Sequence, residues 1–129
     1  MNRLNEIEAR ANAATEGPWR AIEDDEYPGS AREIVGPDGR PVIEQLGCGH
    51  CDVGLCAYWE DIEMVTASRT DVPDMAAALR AVLELHKEDG HGWGPGESFC
   101  TECQQGYGLL VPYPCPTVAA IRRHLGDDQ

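Results

Sequence analysis

The sequence between residues 85 and 116, LHKEDGHGWGPGESFCTECQQGYGLLVPYPCP, decides how the C-terminal third of the chain folds. It contains His86, then the pair Cys100-x2-Cys103, and finally Cys115 between two prolines. Three thiolates and one imidazole at this spacing are typical of a tetrahedral metal site, and zinc is the ion that such sites usually hold. The pattern therefore predicts a zinc site with four ligands, which are His86, Cys100, Cys103 and Cys115.

The identity of the fourth ligand is open from the sequence. His86 lies at the end of a predicted helix and on its apolar stripe, where a half-buried core histidine is the simpler interpretation. His91 in the glycine-rich loop and His124 on the last predicted helix are the alternatives. The thiols also have a simpler interpretation, because reduced cysteines often pack as small apolar groups. The close pair of cysteines and the position of Cys115 at a predicted helix N-terminus favour ligation.

The predicted metal has a structural role. A closed site with four protein ligands leaves no coordination position for the water that a catalytic zinc activates. The ion would tie the end of one helix to the start of another across a loop of nearly thirty residues. Structural zinc sites contribute on the order of 10 kcal/mol to folding, which exceeds the net stability of many domains.

A second group of thiols lies in the Gly- and Cys-rich segment 45–57, which we interpret as an insertion after a hairpin. Its spacing resembles that of a zinc knuckle, although the knuckle's last two ligand positions hold Cys56 and Asp61 instead of histidine and cysteine. A flexible loop that carries free thiols is the alternative. The chain is thus predicted to bind one zinc ion, or two if this segment binds metal through Cys48, Cys51, Cys56 and either His50 or Asp61.

Composition limits the classes of protein to which the chain can belong. Its 129 residues fit a single domain, and 10 basic against 23 acidic residues give a formal charge of −13. Direct nucleic-acid binding is disfavoured because a phosphate-binding groove requires positive charge. The sequence shows no secretion signal and no apolar run long enough to cross a membrane, so we expect a cytoplasmic location. Cysteines in that reducing compartment favour metal ligation over disulfides.

Periodicity and turn signals predict an α+β fold, with a short antiparallel sheet packed by three to four helices. The sheet would consist of a strand at residues 19–22 and a hairpin whose turn is Gly36-Pro37-Asp38-Gly39. Helical spacing appears in four segments: residues 1–14, residues 58–69, a helix N-capped by Asp71 with Met75 on its apolar stripe, and a final helix from Pro116 to Gly126.

An enzymatic alternative comes from His86-Lys87-Glu88 followed by the cysteine pair, which is similar to the zinc deaminase signature. Only eleven residues separate Glu88 from Cys100, too few for the elements that normally lie between the two ligand segments. Cys115 would also close the site as a fourth ligand. The sequence contains no phosphate-binding GxxxxGK loop. We therefore expect no catalytic residues and lean away from an enzyme.

Three stretches together carry a resemblance to a known group of proteins. They are Leu4-x2-Ile7-Glu8-Ala9-Arg10-Ala11 running to Gly17-Pro18-Trp19, Ala67-x-Arg69-Thr70-Asp71-Val72-Pro73 with Ala78 to Val82, and Tyr113-Pro114-Cys115-Pro116-Thr117. About two-thirds of the chain resembles small uncharacterised proteins of actinobacteria and their phages, and its N-terminal half loosely resembles the Ead/Ea22-like phage accessory proteins. The resemblance implies a phage or prophage origin, and a histidine, CxxC and PC arrangement that matches His86, Cys100, Cys103 and Cys115. It implies no established activity.

These observations lead to the expectation of a non-enzymatic, zinc-stabilised accessory protein that binds a host or phage protein in the host cytoplasm. The negative charge favours a partner with a basic surface. An acidic mimic of nucleic acid, which occupies a DNA-binding protein, is one alternative. A zinc-dependent hydrolase or deaminase-like enzyme is the other, and it would need an open coordination position near Glu88 or Glu102.

Overall fold

The computed structural model describes residues 2–44, 58–90, 96–105 and 109–127. Within these ranges the chain forms three helices and two small antiparallel sheets, which confirms the predicted α+β class. The elements in chain order are α1 (Asn2–Ala13), β1 (Arg20–Glu23), β2 (Ala31–Val35), β3 (Pro41–Ile43), α2 (Trp59–Leu85), β4 (Glu88–Asp89), β5 (Phe99–Gln105), β6 (Leu109–Pro112) and α3 (Pro116–Leu125).

The chain divides into two compact units. The continuous unit comprises Ala9–Asp74, and the discontinuous unit comprises Met1–Glu8 together with Met75–Gln129. The first sheet belongs to the former and the second sheet to the latter, while α1 and α2 each have residues in both. The sequence predicted one domain with an insertion at residues 45–57. That segment lies outside the described residues, so the insertion stays a prediction.

The continuous unit contains the predicted three-stranded sheet, in the order β1-β2-β3. The tight turn between β2 and β3 forms as expected, because Gly39 adopts the left-handed region at φ 78° and the Asp38 side chain accepts a hydrogen bond from the Arg40 amide at 3.0 Å. Packing on one face of the sheet buries a small apolar core. Its members are Ala31, Ile34 and Ile62, with Trp19, Ala21, Ile43 and Trp59 packed around them.

Helix α2 corrects the sequence prediction, which placed two helices with a new N-cap at Asp71. The structure has one helix from Trp59 to Leu85, with Pro73 in its interior. An interior proline costs about 3 kcal/mol because it removes a hydrogen bond and crowds the preceding turn. The helix continues because its inward positions keep the same phase on both sides of the proline. Those positions are Ile62, Arg69, Ala76 and Leu83, spaced seven residues apart and buried or half-buried.

The prediction of Met75 on the buried stripe was wrong, because its side chain is 59% exposed and the neighbouring Ala76 is buried instead. The first helix behaved as predicted, with Leu4 fully buried and Ile7 half-buried on one face. Its N-terminal turn receives support from the other end of the chain, since the Arg3 amide donates to Asp127 Oδ1 at 3.1 Å. A carboxylate at this position also complements the positive end of the helix dipole.

The second sheet, in the order β4-β5-β6, was not predicted from the sequence. Helix α2 ends at Leu85, and the chain then pairs with β5 through Glu88 and Asp89. Thr101 on β5 stabilises this exit. Its hydroxyl donates to the Leu85 carbonyl at 2.8 Å and accepts from the Lys87 amide at 3.2 Å. The residues after Leu85 therefore pair with β5 and do not form a further turn of the helix.

Candidate metal centre

Four side chains that the sequence singled out converge in the discontinuous unit. One ligand atom from each of them lies within 4.8 Å of the ligand atoms of the other three. Cys100 and Cys115 are buried, whereas His86 and Cys103 are half-buried. The four residues therefore form a candidate metal site, and they are His86, Cys100, Cys103 and Cys115.

Distances within the cluster fit tetrahedral coordination. The Nδ1 atom of His86 lies 3.3 Å from Cys100 Sγ, 3.3 Å from Cys103 Sγ and 3.6 Å from Cys115 Sγ. In a tetrahedral zinc site with usual bond lengths, a nitrogen and a sulfur ligand stand about 3.5 Å apart. The arrangement is thus compatible with zinc. It also assigns Nδ1 as the ligating nitrogen, because that atom faces all three sulfurs.

The end of helix α2 positions His86. Its amide still donates to the Val82 carbonyl at 3.1 Å, so the residue keeps the direction of the helix although it lies just beyond Leu85. The following residues are fixed to β5, because the Thr101 amide donates to the Lys87 carbonyl at 2.9 Å. This link joins the histidine to the strand that carries two of the three thiols.

Strand β5 presents Cys100 and Cys103 through an irregularity in its pairing with β6. The register advances from Phe99 to Gln104 on β5 but only from Pro112 to Leu110 on β6. The residues between these pairs bulge out of the ladder, as an extra length of chain in one strand must. The backbone amides of Glu102 and Cys103 turn towards the Cys100 sulfur and hydrogen-bond to it. The two thiols thereby reach the same point from one turn.

Cys115 approaches from the N-terminus of helix α3. It occupies the N-cap position with φ −69° and ψ 166°, and Pro116 follows as the first helical residue. Its side chain makes no capping hydrogen bond, so the sulfur is directed to the cluster. The positive end of the helix dipole favours a thiolate at this place. The helix ends as predicted at Gly126, whose φ of 78° allows a left-handed C-cap.

The thiols have unequal proton affinities. Burial tends to raise the pKa of Cys100, but the amides of Cys103 and Glu102, together with His86 and Cys115, lower that pKa to about 6. Burial and the adjacent Cys100 and Cys115 raise the pKa of Cys103 to about 11. One thiolate is therefore stabilised by the protein itself. Ionisation of Cys103 beside it would be favoured by a cation, which a bound metal would supply.

The surroundings of the cluster are apolar. Cys115 and Val118 are fully buried and Cys100 is 3% exposed, so the sulfur atoms themselves belong to the core of this unit. Shielding from water strengthens the interaction between a cation and thiolates. The half-buried side chains that pack against these residues are Leu83, Cys103, Val111 and Tyr113.

Several other candidates do not join this cluster. His124 lies on α3, where its Nδ1 is 2.9 Å from the Ala120 carbonyl. Asp61 is exposed in the first turn of α2, and Glu88 and Glu102, the acids of the enzymatic alternative, are both exposed. The remaining candidates lie outside the described residues, so a second metal site stays a prediction. They are His91, Cys48, His50, Cys51 and Cys56.

Thr101 is a positioning residue that the sequence analysis missed. Its backbone and hydroxyl bind Leu85 and Lys87, the residues on either side of His86, and so hold the end of α2 against β5. A threonine between two cysteines carries no distinctive signal, because many residue types occur there. Only the weak preference of threonine for strands hinted that the cysteine pair lies on a strand.

In the ranges that the structure describes, no helix combines the length and the apolar character that crossing a membrane requires. No protein-family model, no curated protein and no solved structure matches the chain.

Proposed function

We propose that the chain is a non-enzymatic protein-interaction module whose discontinuous unit is stabilised by one zinc ion. The observation that carries the proposal is the convergence of one imidazole and three thiol ligand atoms within 4.8 Å of one another, inside an apolar core. Sulfur-rich sites with four protein ligands are characteristic of structural zinc. The ligands are His86, Cys100, Cys103 and Cys115.

The closed ligand set supports a structural role over a hydrolytic one. Four protein ligands fill a tetrahedral shell, and a catalytic zinc needs one position for water or substrate. The acids that could act beside the metal in a deaminase-like reaction, Glu88 and Glu102, are exposed on strands β4 and β5. The proposed metal therefore maintains a fold, and function lies on the surface of that fold.

The proposed partner is a host or phage protein in the host cytoplasm. This part of the proposal rests on the motif resemblance and on the formal charge of −13. Exposed acids on the first turns of α2, namely Glu60, Asp61 and Glu63, would meet a basic surface of such a protein. An acidic mimic of nucleic acid is a specific form of this interaction. It predicts that the partner's DNA competes with the chain for binding.

Metal content tests the structural part of the proposal. Elemental analysis of freshly purified protein should find one zinc per chain, or two if the segment 45–57 also binds metal. Cobalt substitution should produce the absorption spectrum of a tetrahedral thiolate site, because Co²⁺ accepts the same ligands. A chain that purifies without a transition metal and binds none from solution would refute it. Affinity purification followed by mass spectrometry, with wild type and Cys115→Ser compared, then identifies partners that need the folded unit.

A further inference from the structure

An apolar groove lies between the C-terminal half of α2 and helix α3, away from the four ligands. Its volume is about 270 Å³, and Leu79, Ala120, Ile121, His124 and Leu125 line it. The whole groove belongs to the discontinuous unit. A space of this size on an open surface accepts apolar side chains from another molecule, in the way that helix-binding grooves accept anchor residues.

The two walls of the groove differ from the rest of the chain in charge. Of the 129 residues 23 are acidic, yet residues 75–83 of α2 and the whole of α3 contain no Asp or Glu. The last turn of α3 instead carries Arg122, Arg123 and His124. Arg122 is engaged with Tyr113, since its Nη2 atom donates to the phenol oxygen at 3.2 Å, whereas Arg123 is exposed. The residues that line the groove thus include no acid, and Arg123 is an exposed cation on the helix that forms one of its walls.

Exposed apolar atoms extend the groove along α2. Met75, one turn before Leu79, is 59% exposed, and its unbranched thioether adapts to differently shaped partners. At the rim, the carbonyl of Ala120 can only accept, so His124 donates from Nδ1, which leaves Nε2 for a partner. Together these residues offer apolar contacts in the centre and polar, cationic contacts at one edge, as interfaces commonly do.

We infer that this groove binds an amphipathic helix that carries apolar anchors and flanking carboxylates. The carboxylates would meet Arg123 at the rim, Nε2 of His124 would accept a hydrogen bond from the partner, and the anchors would fill the space between Leu79 and Ile121. A second copy of the chain fits less well, because a two-fold contact through this surface would place Arg123 near its own equivalent.

The inference rests on the proposed function and adds a second binding surface to that module, because the acidic helix in the groove is distinct from the basic surface proposed to meet the acids of α2. Metal binding and groove binding are connected because the metal would fix both walls. His86 lies two turns beyond Leu79, just past the end of α2, and Cys115 is the N-cap of the helix that carries Ile121. The geometry of the groove would therefore depend on the ion, while the residues that touch the partner lie outside the ligand set.

Two designed peptides of about 14 residues test the inference with the full, metal-loaded chain. Both carry leucines at helical i, i+3, i+4 and i+7 spacing, and the remaining positions are glutamate in one and lysine in the other. Fluorescence anisotropy at 0.15 M salt should show that the glutamate peptide binds about tenfold more tightly, or better, than the lysine peptide. Amide shifts in NMR spectra should be largest at Leu79, Ala120 and Ile121.

Three variants distinguish peptide binding in the groove from metal binding. Ile121→Glu places a charge in the apolar wall and should abolish binding of the glutamate peptide while zinc content stays at its wild-type value. Arg123→Glu changes an exposed residue, so the fold persists, and it should reverse the preference to the lysine peptide. Arg20→Glu makes the same change of charge on β1, outside the groove, and should leave both affinities unchanged.

The remaining outcomes overturn the inference. Absence of binding by both peptides removes the docking site, and tighter binding of the lysine peptide shows that net charge determines the partner. Sedimentation that reveals a dimer, lost in Arg123→Glu, assigns the groove to a second copy instead. A metal-free chain that still binds the glutamate peptide refutes the link between the ion and the groove but leaves the docking surface intact. The zinc proposal fails separately, if the purified chain holds no metal, so the two failures can be distinguished.

Discussion

The two units stabilise their interiors in different ways. The continuous unit buries Ala31, Ile34 and Ile62 between a sheet and a helix, with two tryptophans packed against them. The buried core of the discontinuous unit contains Val118 together with the thiols Cys100 and Cys115. The first is an ordinary apolar core, whereas the second is organised around the residues of the candidate metal site. A small unit with few buried apolar residues can thus be stabilised by a metal ion, where a larger unit would be stabilised by the burial of apolar side chains.

Metal removal should produce the largest effect and should separate the two units. A strong chelator removes an interaction worth on the order of 10 kcal/mol, so the discontinuous unit should unfold or lose its fixed packing. Hydrogen exchange should then accelerate at Thr101, Val111 and Val118. The amides of Ile34 and Ile62 are the internal control and should remain protected. Equal loss in both units, or no loss in either, would contradict the comparison.

Cys115→Ser should have the next largest effect. Serine is a good N-cap, so the substitution keeps the start of α3 while it removes one metal ligand. Zinc content should fall by one ion per chain, and the melting temperature of the discontinuous unit should decrease. Thr117→Ala, at an exposed position on the same helix, provides the matched control and should keep the metal. Unchanged zinc affinity in Cys115→Ser would show that this thiol is not a ligand.

Ile34→Ala should destabilise the other unit. The side chain is 2% exposed, and truncation of a buried isoleucine costs about 2–5 kcal/mol through lost burial and a residual cavity. Zinc stoichiometry should stay at the wild-type value, because the four proposed ligands belong to the other unit. Denaturant titration followed by tryptophan fluorescence reports the change, since Trp19 and Trp59 pack there. Loss of metal in this variant would show that the two units do not fold independently.

The ion pair between Glu8 and Arg80 should contribute the smallest effect. Arg80 Nη2 lies 2.6 Å from Glu8 Oε2, and both side chains are about one-third exposed, so solvent and salt screen the interaction. The hydrogen bond from Arg80 holds the pKa of Glu8 below 4.5. The pair therefore stabilises the fold above that pH and loses its contribution as the pH falls through the lowered pKa.

A double-mutant cycle with Glu8→Gln and Arg80→Gln measures this contribution. The coupling should be the same at pH 7 and pH 6, where Glu8 stays ionised, and it should weaken in 1 M NaCl. Asn5, which accepts a hydrogen bond from Arg80 at 2.6 Å, offers a neutral comparison through Asn5→Ala. A coupling that disappears between pH 7 and pH 6 would contradict the lowered pKa.

Local signals predicted the parts of the fold in which neighbours along the chain decide the structure. The turn at residues 36–39 and both ends of α3 formed as expected, because proline and glycine restrict or release specific backbone angles there. The joined helix α2 was missed because Asp71 and Pro73 imitate a helix start. The common phase of Ile62 and Ala76, which is a tertiary property, determined the outcome.

The candidate site was predicted more completely than the sheet that carries it. Cysteine and histidine at this spacing indicate a metal site by their residue types alone, so their convergence could be predicted without knowledge of the strands that carry them. Strand β5 shows no regular alternation because the residues between Phe99 and Gln104 leave the ladder with β6, and the two-residue β4 is too short to recognise. The role of Thr101 and the choice of Nδ1 on His86 depend on three-dimensional placement alone.

The division of the chain has a consequence for its biosynthesis. Residues 9–74 emerge from the ribosome as one uninterrupted stretch, so that unit can complete its packing early. Leu4 precedes that stretch in the chain, yet its unit is complete only after Val118 has been translated. Capture of the ion would then be a late step in the maturation of the nascent polypeptide. Cells short of zinc would accumulate molecules in which the continuous unit is folded and the discontinuous unit is not.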